Sequence, residues 1–309
     1  MISSSPRSFG AIMENLSTVQ DFIRWTTSQL SQSEIYLGHG TDNPIDESKQ
    51  LILASLGLSL SIPPEFYAAN LTEEERQFLF DIIQKRIDDR VPTPYLTNQA
   101  WFCGHSFYVD ERVLIPRSPI GELIDDHFKT LLTTPPRHIL DLCTGSGCIG
   151  IACAYAFPKA HVDITDISLE AIDVAQTNID LHEMNFQVTP ILSDLFDDLP
   201  VKQYDLIVSN PPYVDDEDMN DLPEEYLYEP KLALEAGFDG LDLVKRILRD
   251  AINYLTPEGI LVCEVGNSWV SLQEQYPDVP FNWIDFERGG FGVFSITQQD
   301  LVKYHHYFK

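Results

Sequence analysis

The chain has few basic residues for its length. Only 20 of its 309 residues are Lys or Arg, against 48 Asp or Glu, which gives a formal net charge of −28. This charge repels phosphate backbones and disfavours tight binding to bare nucleic acid. It is compatible with a basic protein partner, and also with an acidic surface that serves only solubility or salt adaptation.

Long apolar runs are also absent from the sequence. No stretch of about 18 apolar residues occurs, as a membrane-spanning helix would need. The N-terminal "MISSSPRSFGAIMENL" has neither a long apolar region nor a basic segment ahead of one. We therefore expect no membrane insertion, no secretion and a cytoplasmic location.

Cysteines are few and odd in number, and they indicate reduced thiols: Cys103, Cys143, Cys148, Cys153 and Cys263. The second, third and fourth follow each other at steps of five residues. Such a step on a helix turns about 140° beyond a full turn, so that successive thiols point apart. We expect no metal site there.

The first 94 residues carry helical signals. Apolar residues recur at helical spacing at Leu16, Val19, Phe22, Ile23 and Leu30, and again at Leu51, Ile52 and Leu56. A third helix follows Thr72 and Glu75, which form a capping box. Its predicted buried face consists of Phe78, Ile82, Ile83 and Ile87, and Pro92 and Pro94 end it in a linker. Residues 1–94 are predicted to form a helical substrate-recognition domain.

A β-hairpin and connector are predicted over residues 95–135. Aromatic arms flank Gly104 and His105 in "AWFCGHSFYVDERVLIP".

Strands and helices alternate in residues 136–309. Helices are predicted over about Cys148–Phe157, Ser168–His182 and Leu241–Tyr254, between the apolar runs "HILDLC", "HVDIT", "FQVTPIL", "YDLIVS" and "GILVCEV". This order predicts an α/β fold with a doubly wound, mainly parallel sheet. Two later runs, "FNWIDFER" and "GFGVFSIT", are joined by Gly289 and Gly290 and should form an antiparallel hairpin at one edge.

A glycine-rich loop follows the first strand of this alternation. Gly145, Gly147 and Gly150 have G-x-G-x-x-G spacing, and Asp166 ends the next strand. Glycines allow a tight turn and close approach of an adenosine-bearing ligand, and the acid can hold ribose hydroxyls. The loop alone fits a dinucleotide dehydrogenase, an S-adenosylmethionine-dependent methyltransferase or a merely structural turn.

Two further acids favour the methyl donor. Asp194 follows the third strand, where its carboxylate can accept a bond from the adenine amino group. Asp141 closes the first strand and suits the cationic end of a ligand.

The apolar run "YDLIVS" ends in Asn210, Pro211, Pro212 and Tyr213. The Asn210 side-chain oxygen and the Pro211 carbonyl can each accept one N–H of a planar amino group, and hold its nitrogen toward a methyl carbon. The prolines stiffen the loop and remove competing donors, and the tyrosine offers a flat face. We predict methylation of a planar amino group here.

The segment from Asp141 to Tyr213 resembles the HemK-type methyltransferases, in which N-P-P-Y marks enzymes that methylate glutamine side chains in proteins. "GHGTDNPIDES" (38–48), "IPRSPIGE" (115–122) and "EPKLALEAGFDGLDL" (229–243) are similar to the branch that acts on large-subunit ribosomal protein L-three. The resemblance covers nearly the whole chain. It implies a seven-stranded, Rossmann-like class I methyltransferase domain and a basic ribosomal substrate, free or in an immature large subunit.

The resemblance also implies roles for individual residues. The predicted donor-binding residues are Asp141, Gly145, Gly147, Asp166, Asp194 and Asn210, and the predicted catalytic residues are Asn210, Pro211, Pro212 and Tyr213. The loop Pro116 to Pro119 would close over the donor. No metal is implied.

Several alternatives stay open at this point. A release-factor glutamine methyltransferase would differ only in its protein substrate, and an adenine methyltransferase acting on DNA is disfavoured by the net charge of −28. A dehydrogenase would bind a nicotinamide cofactor. A non-catalytic ribosome assembly factor would need no methyl transfer.

Overall fold

The computed structural model describes residues 15–309. The N-terminal residues on which the expectation against a secretion signal rests lie, up to residue 14, outside this range. The described residues divide into two compact units. One contains residues 15–99 and the segment Pro223–Tyr228, and the other contains Ala100–Leu222 and Glu229–Lys309. No helix among the described residues is long and apolar enough to cross a membrane.

The first unit is helical. Its α-helices are α1 (Val19–Gln32), α2 (Pro44–Ser55), α3 (Glu73–Asp88) and α4 (Thr93–Thr97). The predicted capping box begins α3: the Thr72 hydroxyl accepts the Glu75 N–H, and the Glu75 carboxylate accepts the Thr72 N–H at 2.8 Å. One shared core, including Phe22, Leu51 and Ile83, joins the first three helices.

The predicted buried face of α3 is wrong at one position. Phe78 is 49% exposed, whereas Leu79, Ile82 and Ile83 are buried and Ile87 is half-buried. Arg86 replaces the aromatic ring on the buried side and is only 1% exposed. The guanidinium is stable there because its Nε donates to Glu47 at 2.7 Å and an Nη lies 3.5 Å from Glu225.

The linker expected after α3 also differs from the structure. The helix ends at Asp88, ahead of the two prolines that were predicted to stop it, but Thr93–Thr97 forms a further short helix, with Pro94 in its first turn. Proline is tolerated at that position because the first N–H groups of a helix have no intrahelical partner.

The second unit begins with the predicted hairpin, formed by β1 (Ala100–Phe102) and β2 (His105–Phe107). Cys103 and Gly104 make the turn, both with positive φ, as a tight two-residue turn requires. The turn is therefore one residue earlier than predicted, and His105 already belongs to the second strand.

The rest of this unit is the predicted doubly wound sheet with its helices. Its strands are β3 (His138–Leu142), β4 (His161–Asp166), β5 (Val188–Leu192), β6 (Tyr204–Ser209), β7 (Leu255–Glu264), β8 (Asn282–Trp283) and β9 (Val293–Thr297). Its α-helices are α5 (Ile120–Asp125), α6 (Cys148–Ala156), α7 (Leu169–Leu181), α8 (Asp216–Asp221), α9 (Asp242–Asp250), α10 (Trp269–Gln275) and α11 (Gln298–Tyr304).

The sheet has the order β5-β4-β3-β6-β7-β9-β8. The first five strands in this order are parallel, and β9 is antiparallel to both β7 and β8. The predicted antiparallel edge is thus confirmed.

Both faces of the sheet are buried, which explains why its central strands are largely apolar on both sides. Ile139, Leu206 and Val208 pack in a core with α6 on one face. Leu140 and Ile207, their chain neighbours, pack in a second core with α9 on the other face. Successive strand residues point to opposite faces, so both must be apolar.

Candidate functional site

The strand order reverses between β3 and β6, which lie side by side in the centre of the sheet. In open α/β sheets a crevice forms at such a reversal, beyond the carboxyl ends of the strands. A cavity of about 190 Å³ lies there. Among its lining residues are five of the predicted site residues: Gly145, Asp166, Asp194, Asn210 and Pro212.

The glycine loop between β3 and α6 shows two different uses of glycine. Gly145 has φ +55°, and a Cβ added to it would meet nothing within 4 Å, so the backbone there borders open space. Gly150 packs closely on β4, since a Cβ would lie 2.3 Å from Cγ2 of Ile164. Gly147 has φ +82° and precedes the first residue of α6. The loop thus places the backbone at Gly145 next to the cavity and packs the backbone at Gly150 against the sheet.

Asp141 braces this loop from inside the protein. One carboxylate oxygen accepts the Thr144 hydroxyl at 2.5 Å and the Gly150 N–H at 2.9 Å. The other oxygen is buried and has no hydrogen-bond partner within residues 15–309. Burial raises the pKa of Asp141 to about 7. Asp141 is not among the cavity-lining residues, and its predicted contact with a donor stays a prediction.

Asp166 connects the end of β4 to the glycine loop. Its two oxygens accept the backbone N–H groups of Gly145 and Ser168, at 2.9 and 3.0 Å. Burial raises the pKa of this carboxyl group despite these bonds. The carboxylate is thereby fixed in the cavity wall, and its remaining lone pairs can accept further donors.

Asp194 follows β5 in a more open position. Its side chain is 40% exposed, and Oδ1 lies 2.9 Å from a guanidinium nitrogen of Arg246, which comes from α9 and also lines the cavity. Arg112, with its Nε 2.9 Å from Asp110, is a second cation in the wall. Sequence reasoning missed both arginines; the only signal for Arg246 was its place on the polar side of a predicted helix.

Asn210 comes directly after the buried strand β6. Its side-chain Oδ1 is buried and has no hydrogen-bond partner in the described part of the chain. Pro211 is buried, and Pro212 lines the cavity. This loop therefore offers an acceptor oxygen that the protein's own donors leave free.

Tyr213 has contacts at its hydroxyl, its ring and its backbone. Its hydroxyl donates to Glu264 at 2.9 Å, and its backbone carbonyl accepts the Ser268 hydroxyl at 2.9 Å. The ring lies against Gly266, where an added Cβ would be 2.4 Å from a ring carbon. Neither Pro211 nor Tyr213 is among the cavity-lining residues.

Two buried carboxylates anchor the loop Pro116 to Pro119. Arg117 donates two hydrogen bonds to Glu229, at 2.6 and 2.8 Å, and the Ser118 hydroxyl donates to Glu264 at 2.5 Å. Both partners are more than 100 residues away in the sequence, and no local pattern indicated them.

Comparison with known proteins gives a family. Residues 123–237 match the family model described as methyltransferase small domain. The chain is 47% identical to the ribosomal protein uL3 glutamine methyltransferase of Francisella tularensis over 300 residues, which cover 96% of each chain. It is 45% identical to the protein of the same name from Xanthomonas campestris over 294 residues, covering 94% of this chain and 95% of the relative.

Solved structures match less well. The human methyltransferase 10 domain containing protein is 18% identical and has a TM-score of 0.45, with 63% of this chain and 89% of that chain covered. The extent and identity of the two curated matches are decisive. The chain belongs to the ribosomal protein uL3 glutamine methyltransferase family, and it is a methyltransferase.

Proposed function

We propose that the chain transfers a methyl group from S-adenosylmethionine to the side-chain amide nitrogen of a glutamine in ribosomal protein uL3. The buried Oδ1 of Asn210, without a partner among residues 15–309, is the observation that carries this proposal. A buried acceptor left unpaired costs about 1–3 kcal/mol. An amide N–H from a substrate removes that cost, which favours a substrate with a hydrogen-bond donor, such as an amide, over a purely apolar one.

The chemistry requires a nitrogen held in one orientation. An amide nitrogen is a poor nucleophile because its lone pair is delocalised into the carbonyl group. Asn210 Oδ1 and the Pro211 carbonyl each accept one of its N–H groups, which aims the lone pair and favours a pyramidal nitrogen as the new bond forms. The amide loses its proton late, once alkylation has made it acidic, so no strong base is required beforehand.

S-adenosylmethionine, when bound, would supply an electrophilic methyl group on a positively charged sulfur; the methyl C–S bond breaks as the C–N bond forms, and S-adenosylhomocysteine is the product. The open space beside Gly145 and the fixed carboxylate of Asp166 fit an adenosine group, with Asp166 accepting from the ribose hydroxyls. Asp194 accepts from the adenine amino group. Gly147 allows the turn that leads from the loop into α6. Asp141 holds the loop from inside and contributes a negative charge near the cationic end of the donor.

The partner we propose is a basic ribosomal protein. The helical unit would help to recognise it, and the reaction would take place in the cytoplasm. The net charge of −28 supports this choice, because long-range attraction accelerates encounter with a basic protein. The free protein and a precursor of the large subunit are both candidate forms of the substrate.

The test offers several substrates side by side to the purified protein with methyl-labelled S-adenosylmethionine. The substrates are free uL3, immature large subunits and a release factor. We expect label on a uL3 glutamine, located by mass spectrometry. Label on the release factor alone would instead identify a release-factor methyltransferase, and no label on any uL3 form would refute the proposal.

Asn210→Ala is the decisive variant. It should lower methyl transfer by about 10²- to 10³-fold, as loss of one positioned hydrogen-bonding group does in other enzymes, with donor affinity retained. Asn282→Ala, which removes an amide on the edge strand β8, is the matched control and should retain full activity. Full rescue of ribosome assembly by Asn210→Ala in a deletion strain would favour a non-catalytic assembly factor.

A further inference from the structure

Glu264 is a buried carboxylate next to the site to which the proposed chemistry gives no role. It is the last residue of β7 and only 5% exposed. The preceding residue, Cys263, pairs with Ser209 at the end of β6, so Glu264 lies at the level of Asn210 along the neighbouring strand.

Each oxygen of Glu264 accepts from one hydroxyl group. Oε1 accepts the phenol of Tyr213 at 2.9 Å, and Oε2 accepts the hydroxyl of Ser118 at 2.5 Å. The Ser118 oxygen in turn accepts the Ile120 N–H at 3.2 Å, so its hydroxyl hydrogen is directed to Glu264. Burying a polar group costs less free energy when its hydrogen bonds are satisfied, and a carboxylate matches two hydroxyl donors.

These bonds join two segments that are far apart in the sequence. Tyr213 belongs to the N-P-P-Y loop, and Ser118 belongs to the "IPRSPIGE" segment, whose Arg117 is independently fixed by Glu229. Glu264 therefore holds the phenol of Tyr213 against a segment that cannot easily move. Gly266 and Ser268 fix the ring and the backbone of the same tyrosine from other sides.

We propose that Glu264 is a positioning residue for methyl transfer, acting through the Tyr213 phenol and the Ser118 hydroxyl to hold the N-P-P-Y loop in its productive geometry. This role rests on the proposed function, in which Tyr213 covers the flat face of the substrate amide. Small displacements of reacting groups lower the reaction rate strongly. Removing the hydrogen bond to this tyrosine should therefore slow the transfer step and leave donor affinity unchanged.

The same sheet contains a matched control. Asp163 in β4 is 6% exposed, and it accepts the phenol of Tyr204 at 2.8 Å and the ammonium of Lys202 at 2.7 Å. Tyr204 is the first residue of β6, at the opposite end of that strand from Asn210. Both pairs join a tyrosine phenol to a buried carboxylate, although Asp163 also binds a lysine, and only the Tyr213–Glu264 pair lies beside the site.

The experiment measures transfer to uL3, donor affinity and thermal stability for Glu264→Gln, Tyr213→Phe and the double variant. Each single change should lower kcat roughly 10- to 100-fold, with the donor Kd within about twofold of wild type. The double variant should be no slower than the worse single one, because both remove the same bond. Ser118→Ala should lower kcat less, and should add nothing to Glu264→Gln.

The matched changes Asp163→Asn and Tyr204→Phe should lower thermal stability but leave kcat within about threefold of wild type. Additive losses in Glu264→Gln and Tyr213→Phe would overturn the proposed role, as would equal kcat losses in the two pairs at equal stability. A wild-type protein that transfers no methyl group to uL3 would refute the proposed function itself. A wild type that does transfer, combined with additive losses, would refute only the role of Glu264.

Discussion

Buried carboxylates occur in both units of the molecule, but their partners differ. In the helical unit, Glu47 and Glu225 are each 2% exposed, and both lie beside the guanidinium of Arg86. A second guanidinium, that of Arg90, also lies 3.5 Å from Glu225. At the carboxyl edge of the sheet, Asp141 and Asp166 accept four hydrogen bonds, all from a hydroxyl or backbone N–H groups. Arginine therefore balances the negative charges of Glu47 and Glu225. The hydrogen bonds to Asp141 and Asp166 come from uncharged donors, which leave the negative charge in place.

This difference distinguishes the two buried acids of the helical core from the two that we propose to act on the methyl donor, Asp141 and Asp166. Neutral donors satisfy the lone pairs of a carboxylate but leave its charge uncompensated, which is why burial raises the pKa of both Asp141 and Asp166. An uncompensated negative potential favours a cationic ligand, as the proposed sulfonium donor is. Carboxylates neutralised by arginine have no such potential to offer.

The largest effect is expected for the arginine that balances the two buried acids of the helical unit. Arg86→Leu leaves Glu47 and Glu225 buried without their common cation, and should lower the free energy of unfolding by about 3–5 kcal/mol. Urea unfolding followed by circular dichroism measures it. The control Lys49→Ala removes an ion pair of two exposed side chains and should change stability by less than about 0.5 kcal/mol. Equal effects would mean that burial of the charges is irrelevant.

The next largest effect is the pH dependence of stability that Asp141, a buried acid with uncharged donors only, should cause. The folded pKa of Asp141, about 7, lies above its ordinary 3.8, so the folded state holds this proton more tightly. Its contribution to stability should therefore fall as pH rises from about 4 to 7, by at most about 1.4 kcal/mol per pH unit. Asp141→Asn should remove that slope in unfolding measurements across this range.

Asp21 provides a control of opposite sign for that pH series. The Thr18 and Ser17 backbone N–H groups hold its pKa below the ordinary value, so its stabilising contribution is present above about pH 4 and is lost as pH falls. Asp21→Asn should therefore approach wild-type stability at low pH. Identical slopes for the Asp21 and Asp141 variants would contradict the comparison.

A smaller effect is expected for Asp194, which lies at the site but has a charged partner in Arg246. Asp194→Ala should weaken donor binding about 10-fold, the value of one hydrogen bond to a charged group, and leave kcat at saturating donor unchanged. Titration calorimetry with S-adenosylmethionine measures the affinity. Asp197→Ala removes the more exposed acid near the same arginine and should have no effect on affinity.

The smallest effect concerns α3, where sequence reasoning placed the wrong residue in the core. Because Phe78 is 49% exposed, Phe78→Ala should cost less than about 1 kcal/mol of unfolding free energy. Leu79→Ala, at a fully buried neighbour, should cost about 2–5 kcal/mol. The reverse order in urea unfolding would restore the buried face that the sequence pattern predicted.

The parts of this molecule that follow local rules could be predicted from sequence. The strand Tyr204–Ser209 is mainly apolar. The glycine loop and Asn210 each come directly after such a strand, so their positions at the carboxyl edge follow from the parallel sheet. Phe78 was misplaced because a helix with apolar residues on several sides leaves its buried face ambiguous. The partners of Glu264 and Arg86 depend on segments distant in the sequence, which no spacing rule can connect.

The short segment Pro223–Tyr228 makes the helical unit discontinuous in the sequence. Within that unit, Glu225 accepts the Tyr36 N–H at 2.8 Å and lies beside Arg86, so a truncated chain that ends at residue 99 would leave a buried arginine short of one partner. Exchange of the helical unit between related enzymes would therefore require transplanting two separate stretches together. The residues that soon follow the N-P-P-Y motif are thus constrained by the packing of a helical core to which their neighbours in the sequence do not belong.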